Sequence, residues 1–140
     1  LLELRARLKA RFVPPPGTAT VLATPRELVS ADDAFLSRVR EVLDQGAHEE
    51  AFDVGELAAG LAMSRAQLHR RLREALSATP AGVIMRYRLE RAAQMLAARA
   101  GNVGEVAYAV GFKNVSHFVK RFREEYGCTP ASYATRAPRA

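Results

Sequence analysis

Cysteine is almost missing from this chain: among 140 residues only Cys128 carries a thiol. One cysteine excludes an intramolecular disulfide and any metal site built on a cysteine cluster, and it suits a reducing compartment such as the cytoplasm. No apolar run reaches the roughly eighteen residues that a membrane-spanning helix needs, so no membrane contact is expected. His48, His69 and His117 have no cysteine or carboxylate companions at ligand spacing, so neither a metal site nor a cofactor is expected. There is no nucleophile paired with a base and no glycine-rich phosphate loop, which argues against an enzyme. Outside residues 13–29 no segment alternates convincingly at period two, so the fold class expected is all-α.

What is present is positive charge. The chain has 21 Lys+Arg against 15 Asp+Glu, a formal net charge of +6 and a pI near 10.1. That balance favours a polyanionic partner, with nucleic acid ahead of a membrane surface or an acidic protein. Apolar residues make up 49%, enough to fill the core of one ordinary domain. The chain opens Leu1-Leu2-Glu3, with neither a methionine nor a secretory pattern, and reads as a piece of a longer protein.

Leu1, Leu4, Leu8 and Phe12 recur at helical spacing with Arg5, Arg7, Lys9 and Arg11 between them. Residues 1–12 therefore read as a short helix ending an upstream domain or linker. Pro14-Pro15-Pro16-Gly17 stops it, and residues 13–29 read as a Pro-rich linker, partly extended around Thr18 to Leu22. The folded domain is expected over 30–135, with a tail at 136–140. Ser30 and Asp33 suggest its first cap, Phe35, Val39, Val42 and Leu43 its first apolar stripe, and Gly46 its stop. Asp53 caps a helix to about Gly60, and Ser64 with Gln67 forms a capping box for one to about Leu76. Thr79-Pro80 opens the expected longest helix, whose apolar face runs from Val83, Ile84 and Tyr87 to Met95 and Leu96, toward Gly101.

An internal repeat carries the most information. Residues 53–63 read DVGELAAGLAM and residues 102–112 read NVGEVAYAVGF. After one extra residue, Lys113, SRAQLHRRLREALSATPAG from Ser64 aligns with NVSHFVKRFREEYGCTPAS from Asn114. Each copy has a capped short helix with a small residue, Ala58 or Ala107, then a tight turn and a second capped helix. That second helix is expected to bury Leu68, Leu72 and Leu76 in one copy, and Phe118, Phe122 and Tyr126 in the other. Two helices joined by a tight turn, the second with a basic outer face, follow the helix-turn-helix plan.

At about 100° per residue, Ala66, Arg70 and Arg73 lie opposite Leu68, and Ser116, Lys120 and Arg123 opposite Phe118. Both faces are small or polar at the helix start and basic further along. A DNA major groove asks for that order: little bulk at entry, then donors for guanine edges or phosphates. A second reading is a helical protein-interaction module that contacts the transcription machinery without reading DNA, and salt-sensitive duplex binding separates the two.

These residues resemble a known family. Residues 31–135 are similar to the DNA-binding domain of AraC/XylS-type bacterial transcription regulators. The specific match is EVAYAVGFKNVSHFVKRFREEYGCTPASY, from Glu105 to Tyr133, joined by MSRAQLHRRLREALSATPAGVIMRYRLERAAQML, from Met63 to Leu96. The resemblance implies about seven helices, with a long central helix over about 80–99 joining two helix-turn-helix subdomains. It also implies recognition helices in adjacent major grooves of double-stranded DNA, ~34 Å apart. Carried over by position, the base-facing candidates are Arg65, Ala66, His69 and Arg70 in the first unit, and Val115, Ser116, His117 and Lys120 in the second. Arg73, Arg123, Arg121 and Asn114 fall to phosphate contacts, with the backbone amides after Asp53 and Asn102. RNA polymerase is a further partner that such a domain contacts. LLELRARLKARF resembles the end of a receiver domain, which implies an upstream receiver or sensor and a two-component context.

Several residues have simpler explanations. Cys128 reads as a small half-buried residue, and Tyr108 and Tyr133 read as core or rim packing. Glu56 and Glu105 suit the first turns of their helices through the dipole. The run from Arg86 to Arg91 reads as a solvated face with intrahelical pairs.

Overall fold

The computed structural model describes residues 25–136, with side chains from Ala31 onward. The helix expected over 1–12, most of the linker and the tail beyond residue 136 lie outside the described residues. Seven helices and no strand occur among them: α1 Pro25–Gly46, α2 Val54–Gly60, α3 Arg65–Leu76, α4 Pro80–Ala97, α5 Val103–Ala109, α6 Val115–Tyr126 and α7 Pro130–Arg136. The all-α expectation holds, as does the central helix joining two helical hairpins.

Most of the helix starts follow from side-chain oxygens that accept otherwise orphaned backbone N–H groups. Asp53 Oδ1 accepts from Glu56 N at 3.0 Å, and Asn102 Oδ1 from Glu105 N at 2.8 Å. Ser64 and Gln67 form the expected reciprocal box, with Gln67 N donating to Ser64 Oγ at 3.1 Å and Ser64 N to Gln67 Oε1 at 2.9 Å. Thr79 and Thr129 cap α4 and α7 through Gly82 N and Ser132 N.

α1 differs from expectation. It opens at Pro25 and runs through Ser30 and Asp33. Proline at a first helical position has no N–H to leave unpaired and so starts a helix as readily as it ends one. With 22 residues α1 is longer than α4, which has 18 and stops at Ala97, short of Gly101.

Apolar burial gathers into two cores. The first takes Phe35, Leu36, Val39 and Leu43 from α1, Leu57 from α2, Leu68 and Leu72 from α3, and Val83, Ile84 and Tyr87 from α4. The second takes Leu89, Ala92, Ala93 and Leu96 from α4, Val106 from α5, and Phe118 and Phe122 from α6. Each fully buried leucine or phenylalanine contributes roughly 2–3 kcal/mol, so neither half survives the loss of several. α4 belongs to both halves, the first ending at Tyr87 and the second beginning at Leu89.

The third members of the expected stripes turn out differently. Leu76 is half-buried, with Ala75 buried in its place, and Tyr126 is 36% exposed. Eight residues at 100° overshoot two turns by about 80°, which carries the side chain off the buried line. Tyr126 instead stacks on Phe122 at 4.5 Å between ring centroids and meets Tyr133 edge-on.

Polar contacts tie the layers. Buried Asp32 of α1 pairs with Arg71 of α3, whose guanidinium also sits 4.6 Å over the Phe35 ring. The Tyr87 hydroxyl donates to Asp44, and burial with that bond pushes its pKa up to about 12. The segment Arg86 to Arg91 is only in part the expected solvated face. Arg91 does pair within the helix, donating to Gln94, whereas Arg86 reaches Glu125 of α6 and Arg88 turns inward. α4 is covered on several sides because it lies between two units, a circumstance that charge alternation does not reveal.

Candidate nucleic-acid interface

The two hairpins α2–α3 and α5–α6 are built alike. In each, the turn is closed by a backbone bond back into the first helix, Met63 N to Ala58 O and Phe112 N to Ala107 O, both 3.0 Å. Each turn holds a residue at positive φ in the corresponding place, Ala62 at 56° and Gly111 at 106°. The second helices also end alike, with Ser77 and Gly127 in the left-handed region and their N–H groups bonded to Arg73 O and Arg123 O. Small Ala58 and Ala107 are buried at 3% and 0% where the helices approach.

The outward faces of α3 and α6 present the expected residues. Arg65, Ala66, His69, Arg70 and Arg73 are exposed on α3, and Ser116, His117, Lys120 and Arg123 on α6. No carboxylate lies between Arg65 and Arg73 or between Val115 and Arg123. Each face is therefore a basic strip with no acidic residue of its own, mounted on a helix whose other side is locked by Leu68 and Leu72, or by Phe118 and Phe122.

Several candidates have a more particular setting. Arg65 lies back over the first turn of α2: its guanidinium would stand 2.7 Å from a Cβ on Gly55. Val115, half-buried, takes the corresponding place beside Gly104, 4.0 Å from its would-be Cβ. The glycine of each Val-Gly-Glu is thus the gap into which the first side chain of the recognition helix settles. Asn114 spends Oδ1 on capping α6 through His117 N at 3.0 Å, which leaves its amide nitrogen as a donor. The His117 ring meets Phe112 edge-on at 5.7 Å. Arg121 stands apart from Arg123: its Nη1 pairs with Glu124 at 3.5 Å, and its Nε is buried without a protein partner. It lines the cleft between α6 and α4, at the position of α6 that Arg71 holds on α3, and is not on the outer strip.

Arg38 escaped the sequence reading. From α1 it donates to Leu61 O at 3.4 Å, at the turn between α2 and α3, and borders the same shallow hollow as Arg70. That contact spans 23 positions, beyond the reach of any local periodicity. Tyr108, expected in packing, is 58% exposed on α5, and Tyr133 is half-buried against Phe122 and Tyr126. Cys128 is free and half-buried. Among the described residues no group of His, Cys, Asp and Glu could hold a metal ion, and no helix is long and apolar enough to cross a membrane.

Comparison with known proteins gives concordant matches. A family profile described as a helix-turn-helix domain matches residues 57–136. A protein named Histidine kinase P4 from Formosa agariphila is 33% identical over 138 residues, covering 97% of this chain and 10% of that protein. The DNA-binding domain of AdpA, a global transcriptional factor solved with a target DNA, is 32% identical. It covers 71% of this chain and 88% of that one at a TM-score of 0.64. An AraC-type transcriptional regulator from Chromobacterium violaceum shares the fold at a TM-score of 0.70 and 23% identity, covering 77% of this chain and 96% of the other. The chain spans about a tenth to just under half of the length of the curated relatives it matches.

Proposed function

Because the chain belongs to the AraC-type helix-turn-helix family, we propose that it regulates transcription by binding specific double-stranded DNA with α3 and α6 in adjacent major grooves. That family is one of DNA-binding regulators, not of enzymes. The observation that carries the reading is the recurrence, on two equivalent helices, of an exposed carboxylate-free strip ending in Arg70–Arg73 or Lys120–Arg123.

Within this reading Arg70 and Lys120 donate to guanine edges, because they lie mid-helix on the outer strip. Ala66 and Ser116 are small enough to admit the base edges, and His69 and His117 flank them. Arg73, Arg123 and the amide of Asn114 meet phosphates, joined by Arg65 and Arg38 beside the first hairpin. Arg121 contributes less, since Glu124 already neutralises it. The backbone N–H groups opening α2 and α5 complete the phosphate contacts. The likeness to a histidine kinase across nearly the whole chain supports an output domain of a cytoplasmic two-component protein, governed by an upstream receiver or sensor.

A fluorescence-anisotropy titration on duplex DNA at several salt concentrations tests the reading. With about six phosphates neutralised, affinity falls by ~10³ between 50 and 200 mM salt. Absent or salt-insensitive binding would instead support a helical module that docks on protein.

A further inference from the structure

The two halves of the domain have separate cores, and α4 passes from one to the other between Tyr87 and Leu89. The residue at that crossing is Arg88. Its Nε donates to Ala47 O at 2.8 Å, and its Nη2 donates to Glu49 O at 2.8 Å and Phe52 O at 3.2 Å. One side chain thus gathers three carbonyls of the segment between α1 and α2, in the first half. The same guanidinium lies against Gly111 in the turn of the second hairpin, where a Cβ would stand 2.9 Å from Nε and 2.9 Å from Ala47 O. Gly111 at φ +106° lets the two halves approach backbone to backbone. Beside this point Lys113 reaches Glu50 at 3.9 Å, a second link between the same two segments.

Away from this point the halves are parted by open clefts. One lies between α4, Leu76–Thr79 and the Arg121–Glu125 flank of α6, where the exposed Arg86–Glu125 pair crosses it at 3.3 Å, and the other between Asp44, His48, Met95 and Val110. Two rigid bodies joined by one helix and parted by clefts need a further contact to hold their relative angle. We propose that Arg88 is the positioning residue that sets the register between the two recognition helices, and hence the spacing between the two DNA half-sites the protein accepts. A planar fork with several donors suits three carbonyls, whereas a lysine head presents its donors from one nitrogen. Two tethered binding modules gain from each other only when their geometry lets both engage at once.

The inference rests on the DNA reading, so its test has one arm with DNA and one without. A bipartite duplex recovered from random-sequence selection is remade with one or two base pairs added or removed between its halves. The wild-type chain is expected to bind one spacing best. Arg88→Met should lose about tenfold on that spacing while binding to single half-sites is roughly unchanged, and its preference among spacings should flatten. Arg88→Lys should flatten it too while keeping the charge, and serves if Arg88→Met does not fold. In the second arm, spin labels are attached through Ala59→Cys and Tyr108→Cys in a Cys128→Ser background, two exposed and repeat-equivalent positions. Their distance distribution should be narrow in the parent and broad in the Arg88 variants. An unchanged distribution, a retained spacing preference, or equal losses on half-sites and bipartite duplexes would each overturn the proposal. A parent that binds no duplex refutes the DNA reading alone, and the label distances still decide the role of Arg88.

Discussion

Replacing Arg71 by alanine removes the partner of Asp32, a carboxylate that is 6% exposed between α1 and α3. Stranding a fully buried charge costs about 3–5 kcal/mol. The Arg71 side chain is 27% exposed, so water reaches one end of the pair and lowers the cost below that range, to about 2–3 kcal/mol. Losing the guanidinium over Phe35 adds about 0.5–1 kcal/mol. A total near 3 kcal/mol in a domain of this size corresponds to a fall in Tm of roughly 10–20 °C. The assay is thermal and urea unfolding followed by circular dichroism, with an unchanged urea slope showing that the unfolded state is the same. Replacing both residues together with Asp32→Leu and Arg71→Met should recover most of the loss, because the cost lies in the unpaired charge. Arg71→Ala with a wild-type Tm would refute the reasoning, as would a double variant no better than the single.

Other outcomes follow from the interface and from Tyr87. Arg70→Ala or Lys120→Ala should weaken binding to the preferred duplex by ~1–3 kcal/mol and relax the preference at one base position, and equal losses on specific and random DNA would contradict the base-reading role. Arg123→Ala should weaken all duplexes alike and reduce the salt slope by about one, as read from anisotropy titrations. The raised pKa of Tyr87 means that the fold favours its neutral form. The resulting stability is present below pH 10 and is lost as pH rises through about 12. Urea midpoints measured across that window should fall more steeply for the wild-type chain than for Tyr87→Phe.

Much of this molecule was legible because its local chemistry agrees with its global shape. Asp53, Ser64, Thr79, Asn102 and Asn114 all cap the helices that follow them, and the repeat alone puts Arg70 and Lys120 on matching outer faces. What escaped depends on distance along the chain or on ambiguous local chemistry. Pro25 starts α1 although proline is as often read as a stop. Leu76 and Tyr126 leave the buried line because an eight-residue step is not a whole number of turns. Asp32–Arg71, Arg38–Leu61 and Arg88–Ala47 join segments whose proximity only the packed helices create. Arg88 in particular sits within an alternating-charge run that resembles a solvated face, and only its place between two buried residues, Tyr87 and Leu89, sets it apart.

The two-helix mode of DNA reading is tested most directly by sequencing duplexes that the chain selects from a random pool. Two short conserved blocks about one helical turn apart are expected, the block read by α3 altered by Arg70→Ala and the other by Lys120→Ala. A pool with one block, or with none enriched over random sequence, would contradict it.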